Sequence, residues 1–137
     1  MHPILRIILG VIAGAFIGGL INFGIIMISG TVIALPEGVD PTSVESLKAN
    51  IHLFEVKHFI MPFLAHALGT LAGAFIAAKI AGTNKMIAAL IVGALFLIGG
   101  IMNVAALPAP MWFNVTDLVL AYIPMGWLGG RLAGSEK

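Results

Sequence analysis

The sequence predicts an all-α integral membrane protein with four transmembrane helices in two hairpins, on three observations. Of its 137 residues, 60% are hydrophobic and only 9% are charged, with a mean hydropathy of +1.10. An ordinary soluble domain carries about a quarter charged residues, so this composition cannot clothe a surface that faces water. Long uncharged runs recur along the chain, each close to the roughly 20 residues that a membrane-crossing helix needs. The connections between them are short, which points to one membrane domain over residues 1–137 and excludes a soluble enzyme, a nucleic-acid reader or a multidomain protein. The net charge of +1 offers no polybasic segment, so no nucleic-acid partner is expected. Without cysteine, a disulfide scaffold, a thiolate metal centre and a thiol nucleophile are all ruled out.

The first span, about 7–30, lies in an uncharged run of 30 residues between Arg6 and Glu37. Signal-peptide apolar regions run about 7–15 residues, so a retained helix is expected despite the small-residue stretch Val32-Ile33-Ala34. The loop that follows is the hydrophilic part of the chain. In it Asp40-Pro41 suggests an N-cap with proline at the first helical position, and Thr42-x-x-Glu45 a weaker capping box. Val44, Leu47, Ile51 and Phe54 repeat at helical spacing opposite Glu45, Lys48, His52 and Glu55, giving an amphipathic helix over about 41–54. It either lies with its apolar stripe on the membrane surface, the expected arrangement, or runs straight into the second span.

The second span is expected over about 57–80 and the third over about 86–106, joined by the turn Gly82-Thr83-Asn84-Lys85. Pro108 and Pro110 force a break, and the fourth span runs over about 112–131. Arg6, Lys79, Lys85, Arg131 and Lys137 fall on one side, against Lys48 and Lys57 on the other. The positive-inside rule then puts both termini in the cytoplasm and the amphipathic helix outside, in what is expected to be a bacterial inner membrane. Trp112 suits the outer interface and Trp127 the inner one.

Residues 9–17 match residues 68–76 at seven of nine positions, and Phe54-Glu55-Val56-Lys57-His58 echoes Phe113-Asn114-Val115-Thr116-Asp117. The second alignment fits a duplicated helix hairpin, although the small alphabet of membrane sequences also produces such matches by chance. Small residues four apart form ladders: Gly10, Gly14 and Gly18; Ala65, Gly69, Gly73 and Ala77; Gly126, Gly130 and Gly134. Such stripes let helix backbones approach closely, and packing within one monomer is expected ahead of a dimer seam.

Asp117 is the most informative polar residue. Only 13 uncharged residues separate it from Arg131, reaching about 20 Å as helix, too little for a core of about 30 Å. The helix must therefore begin near Trp112, which draws Asp117 below the headgroups, where an acid needs a partner or a proton. Depth counting places Glu55, His58, Asn103, Asn114 and Asp117 together in the outer leaflet, with Glu55/His58 and Asn114/Asp117 each sharing a helical face. Pro62 and Pro124 free the carbonyls of His58 and Leu120 as further acceptors. A path from Asp117 and His58 towards His66 and Tyr122 would resemble a proton relay, whereas a single structural pair is the plainer alternative. His66 by itself is expected to bond a neighbouring backbone carbonyl.

A di-metal centre needs two Glu-x-x-His pairs and two more carboxylates, and a haem needs ligands on facing helices; neither set is present, so no metal and no cofactor is expected. Nucleophile-elbow, zincin and Walker motifs are absent, so no enzyme is expected. The expected function is an interaction or structural subunit of a homo- or hetero-oligomeric membrane assembly, partnered by lipid and by its own copies or another membrane protein. Its outer-leaflet cluster would bind a small ligand. The alternative is a small oligomeric transporter or channel for protons, cations or a polar solute, using Glu55, His58 and Asp117. An intramembrane enzyme is a distant third.

Overall fold

The computed structural model describes residues 1–135 and is helical throughout its ordered elements, with no strand among those residues. Six α-helices follow in order: α1 (Pro3–Val32), α2 (Val44–Asn50), α3 (Ile60–Ala81), α4 (Lys85–Ala106), α5 (Met111–Leu120) and α6 (Ile123–Leu132). Three helical stretches, Pro3–Val32, Val56–Ala81 and Lys85–Ala106, are long and apolar enough to cross a membrane.

The last apolar segment departs from expectation. It is not one rod over 112–131 but two ten-residue helices that meet at Ala121 and Tyr122. Pro124 is the reason. It has no N–H for the Leu120 carbonyl and its ring crowds that group, but it is well suited to the first turn of a new helix. The pair still runs the length of the bundle, from Phe113 against Phe59 at one end to Ala133 beside Lys85 at the other.

α3 occupies the centre and packs on α1, α4 and α6. Its crossing with α1 is made by the two ladders. A β-carbon on Gly18 would lie 2.5 Å from the Gly69 carbonyl oxygen, and one on Gly10 would lie 2.6 Å from that of Ala77. Between them, Gly14 and Gly73 each face the other's carbonyl. The repeated segments at 9–17 and 68–76 are thus the two antiparallel faces of one crossing, each needing the same small residues for backbone to meet backbone. Gly126 packs on Gly93 and Ala89 of α4, Gly130 on Met86 and Ala89, and Gly129 on the Leu71 carbonyl of α3. Gly134 stands apart from these contacts, just past the end of α6 at φ +91°.

One end of the bundle is basic. Arg6 Nε donates to the Ile80 carbonyl at 3.1 Å, Lys85 Nζ to the Ala133 carbonyl at 3.1 Å, and the Arg131 guanidinium lies over Trp127. Lys137, which sequence places with them, lies outside the described residues. α3 ends there on Gly82, whose φ of +72° suits glycine, and the Arg6 guanidinium covers the place a side chain would fill.

At the opposite end the amphipathic segment begins later than expected. Ser43, not Asp40, caps α2, its hydroxyl accepting from the Ser46 amide at 3.2 Å. Asp40 instead closes a local turn, with Oδ1 accepting from both the hydroxyl and the amide of Thr42. This turn competes with helix initiation at Pro41, and short Asp side chains favour it. Much of the apolar stripe turns inward, although Val44 stays exposed. Leu47, Ile51 and Phe54 roof an internal cavity, and Ile51 joins Phe59 and Phe113 in a buried cluster.

The Thr42 hydroxyl, and secondly its amide, hold the exposed Asp40 carboxyl below the usual value of 3.8. A depressed value in the folded state means that the turn gains from Asp40 above the unfolded value and loses that gain as pH falls through the folded one. The Thr42 amide resonance should therefore shift with a midpoint below the ordinary aspartate value. A midpoint at or above that value would contradict the turn.

Candidate functional site

Depth along the bundle decides which polar groups meet, and it does not select the expected set. His58 sits in a short 3₁₀ turn, Val56–Phe59, ahead of α3. Its Nδ1 accepts from the Glu55 amide at 2.8 Å, and its Nε2 donates to the Ala34 carbonyl at 3.1 Å. Both ring nitrogens are spent on fastening the loop after α1 to the start of α3. Glu55 is exposed and pairs with the equally exposed Lys57 at 3.5 Å. The cluster expected from Glu55, His58 and Asp117 is therefore not formed. A proton path through His58 falls with it.

Asp117 is buried, 4% exposed, and both of its oxygens are held. His66 Nδ1 lies 2.8 Å from Oδ1, and the Tyr122 hydroxyl donates to Oδ2 at 2.9 Å. His66 bonds this carboxylate rather than the backbone carbonyl expected of it. Its own carbonyl accepts from Thr70 Oγ1 at 2.7 Å, and its ring stacks on Tyr122 with centroids 5.8 Å apart. Three residues on three elements thus form one network, with the carboxylate as the shared acceptor.

The helix break makes this geometry available. In a continuous α-helix residues five apart project about 140° apart, so Tyr122 could not reach back to Asp117. Ending α5 at Leu120 and restarting at Ile123 swings the Tyr122 ring under it. Gly100 on α4 then provides the room, because a β-carbon there would lie 2.6–2.7 Å from the Tyr122 ring and hydroxyl. Gly100→Ala should displace that ring and sever its bond to Asp117, destabilising the fold by about 1–3 kcal/mol. Ultraviolet resonance Raman of the single tyrosine reads the hydroxyl bond directly; an unchanged tyrosine signature in Gly100→Ala would refute the packing described.

Two hollows adjoin the network. The first, about 100 Å³, lies beneath α2 and is walled largely by apolar groups, with Asp117, His66, Asn103 and Asn114 as its polar lining together with Ser29. Asn114 makes only a long 3.4 Å contact to the Ala109 carbonyl, leaving its amide available to the cavity. The second, about 340 Å³, opens between α1, α3 and α4 and is lined by Asn22, His66, Asn103, Tyr122 and the glycines at 19 and 99. His66, Asn103 and Gly100 belong to both walls. Among the described residues no group of three or more His, Cys, Asp or Glu side chains is placed to hold a metal ion. Asn22 was missed by sequence reasoning: its side-chain oxygen is buried without a hydrogen-bond partner beside the second hollow. A lone asparagine inside the first apolar run was the available signal. No family model, curated protein or solved structure matches the chain.

Proposed function

We propose that the protein is a small membrane protein that binds a small polar solute within the bilayer, as a homo-oligomer or as a subunit of a larger membrane assembly. Its working site is the network of Asp117, His66 and Tyr122. One observation carries this reading: a buried carboxylate with both oxygens engaged forms part of the wall of one hollow, while its two partners reach into another. A pair serving only to lock helices together has no use for adjoining space. An ionisable group within a membrane span, facing the interior, is most often functional.

In this reading α5 and α6 make the fourth crossing in two pieces, the 22 residues 111–132 reaching about 33 Å. The basic end faces the cytoplasm, which places both termini there and α2 on the outer side of a bacterial inner membrane. α1 keeps a broad apolar face uncovered for lipid or for a second copy, with 17% of its apolar window buried against 44% for Val56–Ala81.

Native mass spectrometry from mild detergent tests the proposal. The parent chain is expected to retain a small-molecule adduct that Asp117→Asn loses, on peaks heavier than one chain. Bare chains in both samples, each at the mass of its own sequence, would overturn it.

The helix break favours a second reading, transport of the solute. Discontinuous helices beside ionisable groups are the usual form of transporter sites near the bilayer midplane. Solute-driven flux into liposomes that vanishes in Asp117→Asn would support it, and binding without flux would remove it.

A further inference from the structure

The hydrogen-bond directions around Asp117 dictate what the second hollow presents to an occupant. With Asp117 as the carboxylate, the Tyr122 hydroxyl spends its only proton on Oδ2, so the lone pairs of Oη are what it has left to offer. His66 likewise gives its Nδ1 proton to Oδ1, and in the neutral ring Nε2 is left as an acceptor with no partner among the described residues. Asn22 adds a buried side-chain oxygen with no donor, and Asn103 an amide that can turn its oxygen inward. Three elements and the break before α6 thus line one space with acceptors.

Charge points the same way. A carboxylate at Asp117 beside a neutral His66 would place one negative charge in the interior. From α3 only His66 and from the α5–α6 segment only Tyr122 are titratable in this wall, with Asp117 hydrogen-bonded behind both; α1 and α4 contribute uncharged Asn22 and Asn103. The described cations that hold fixed positions gather at the basic end or pair with Glu55. A monovalent cation rich in N–H donors would satisfy the acceptors and balance the charge at once. The remaining walls are apolar and aromatic: Leu95 and Phe96 with the Tyr122 ring offer a bed for a short alkyl tail and a π-face for the cationic head.

We infer that the hollow between α1, α3 and α4 is a binding site for ammonium or a small protonated primary amine, held by Asn22 Oδ1, His66 Nε2, Tyr122 Oη and Asn103. This deepens the proposed function and rests on it, since it names the solute class of the same network.

The test is calorimetric titration of the full chain in lipid nanodiscs with methylammonium chloride, ammonium chloride and tetramethylammonium chloride. Saturable binding of the first two is expected, with tetramethylammonium, which has no N–H donor, binding at least about tenfold more weakly. Gly19→Leu supplies a variant that keeps the fold, because a β-carbon on Gly19 meets nothing within 4 Å and the side chain enters the hollow. It should abolish binding without lowering the unfolding temperature. Equal binding of tetramethylammonium, or binding unchanged in Gly19→Leu, would overturn the assignment. If no amine binds while the Asp117-dependent adduct persists in native mass spectra, the amine assignment fails and the solute-binding reading stands. If both are absent, both fail.

Discussion

Gly14→Leu is expected to force α1 away from α3 and to cost about 3 kcal/mol, because the new side chain would point into the Gly73 carbonyl. Neither backbone can give way without opening the whole crossing, and Gly10 and Gly18 make equally close approaches one turn to either side. The control is in the same helix. A β-carbon on Gly24 meets nothing within 4 Å, so Gly24→Leu should leave stability within about 0.5 kcal/mol of the parent. Thermal unfolding in detergent, followed by tryptophan fluorescence, compares the two. Similar midpoints for Gly14→Leu and Gly24→Leu would mean that the ladder faces lipid rather than α3.

Asp117→Ala should be as damaging for a different reason. It leaves the Tyr122 hydroxyl and the His66 imidazole without their common acceptor, in a place where water does not replace it freely. Removing one partner from a buried charged or hydrogen-bonded pair costs about 3–5 kcal/mol. Tyr122→Phe alone should cost less, about 1–2 kcal/mol, and in the double variant the two losses should add to less than their sum. Glu55→Gln is the contrast, an exposed side chain whose replacement should change stability by less than about 0.5 kcal/mol. Strict additivity of Asp117→Ala and Tyr122→Phe would deny that the two residues interact.

Much of the framework was legible because composition and small-residue spacing report directly on lipid exposure and backbone approach. The turn at Gly82, the limits of α4 and the ladder residues all follow from local rules. The site was only half legible. Span length alone puts Asp117 below the surface, but depth counted from the outer end of each helix does not identify its partners. Such a count holds only if His58 lies inside the second helix. In fact the 3₁₀ turn at Val56–Phe59 precedes α3, and His58 is consumed by the backbone of Glu55 and Ala34. The register therefore passes the pairing to His66, two turns deeper. Tyr122 could reach Asp117 only through a break that Pro124 hinted at and helical periodicity concealed. The roof over the first hollow was illegible for a related reason: an apolar stripe announces that it covers something but not whether that is lipid or protein.

Solid-state NMR in lipid bilayers, with nitrogen-15 in histidine and carbon-13 in the aspartate carboxyls, tests the core of this account. A through-space contact between His66 Nδ1 and the Asp117 carboxyl carbon, lost in Asp117→Asn, is the expected result. A carboxyl that shows no histidine contact and exchanges with bulk water as readily as an exposed aspartate would contradict it.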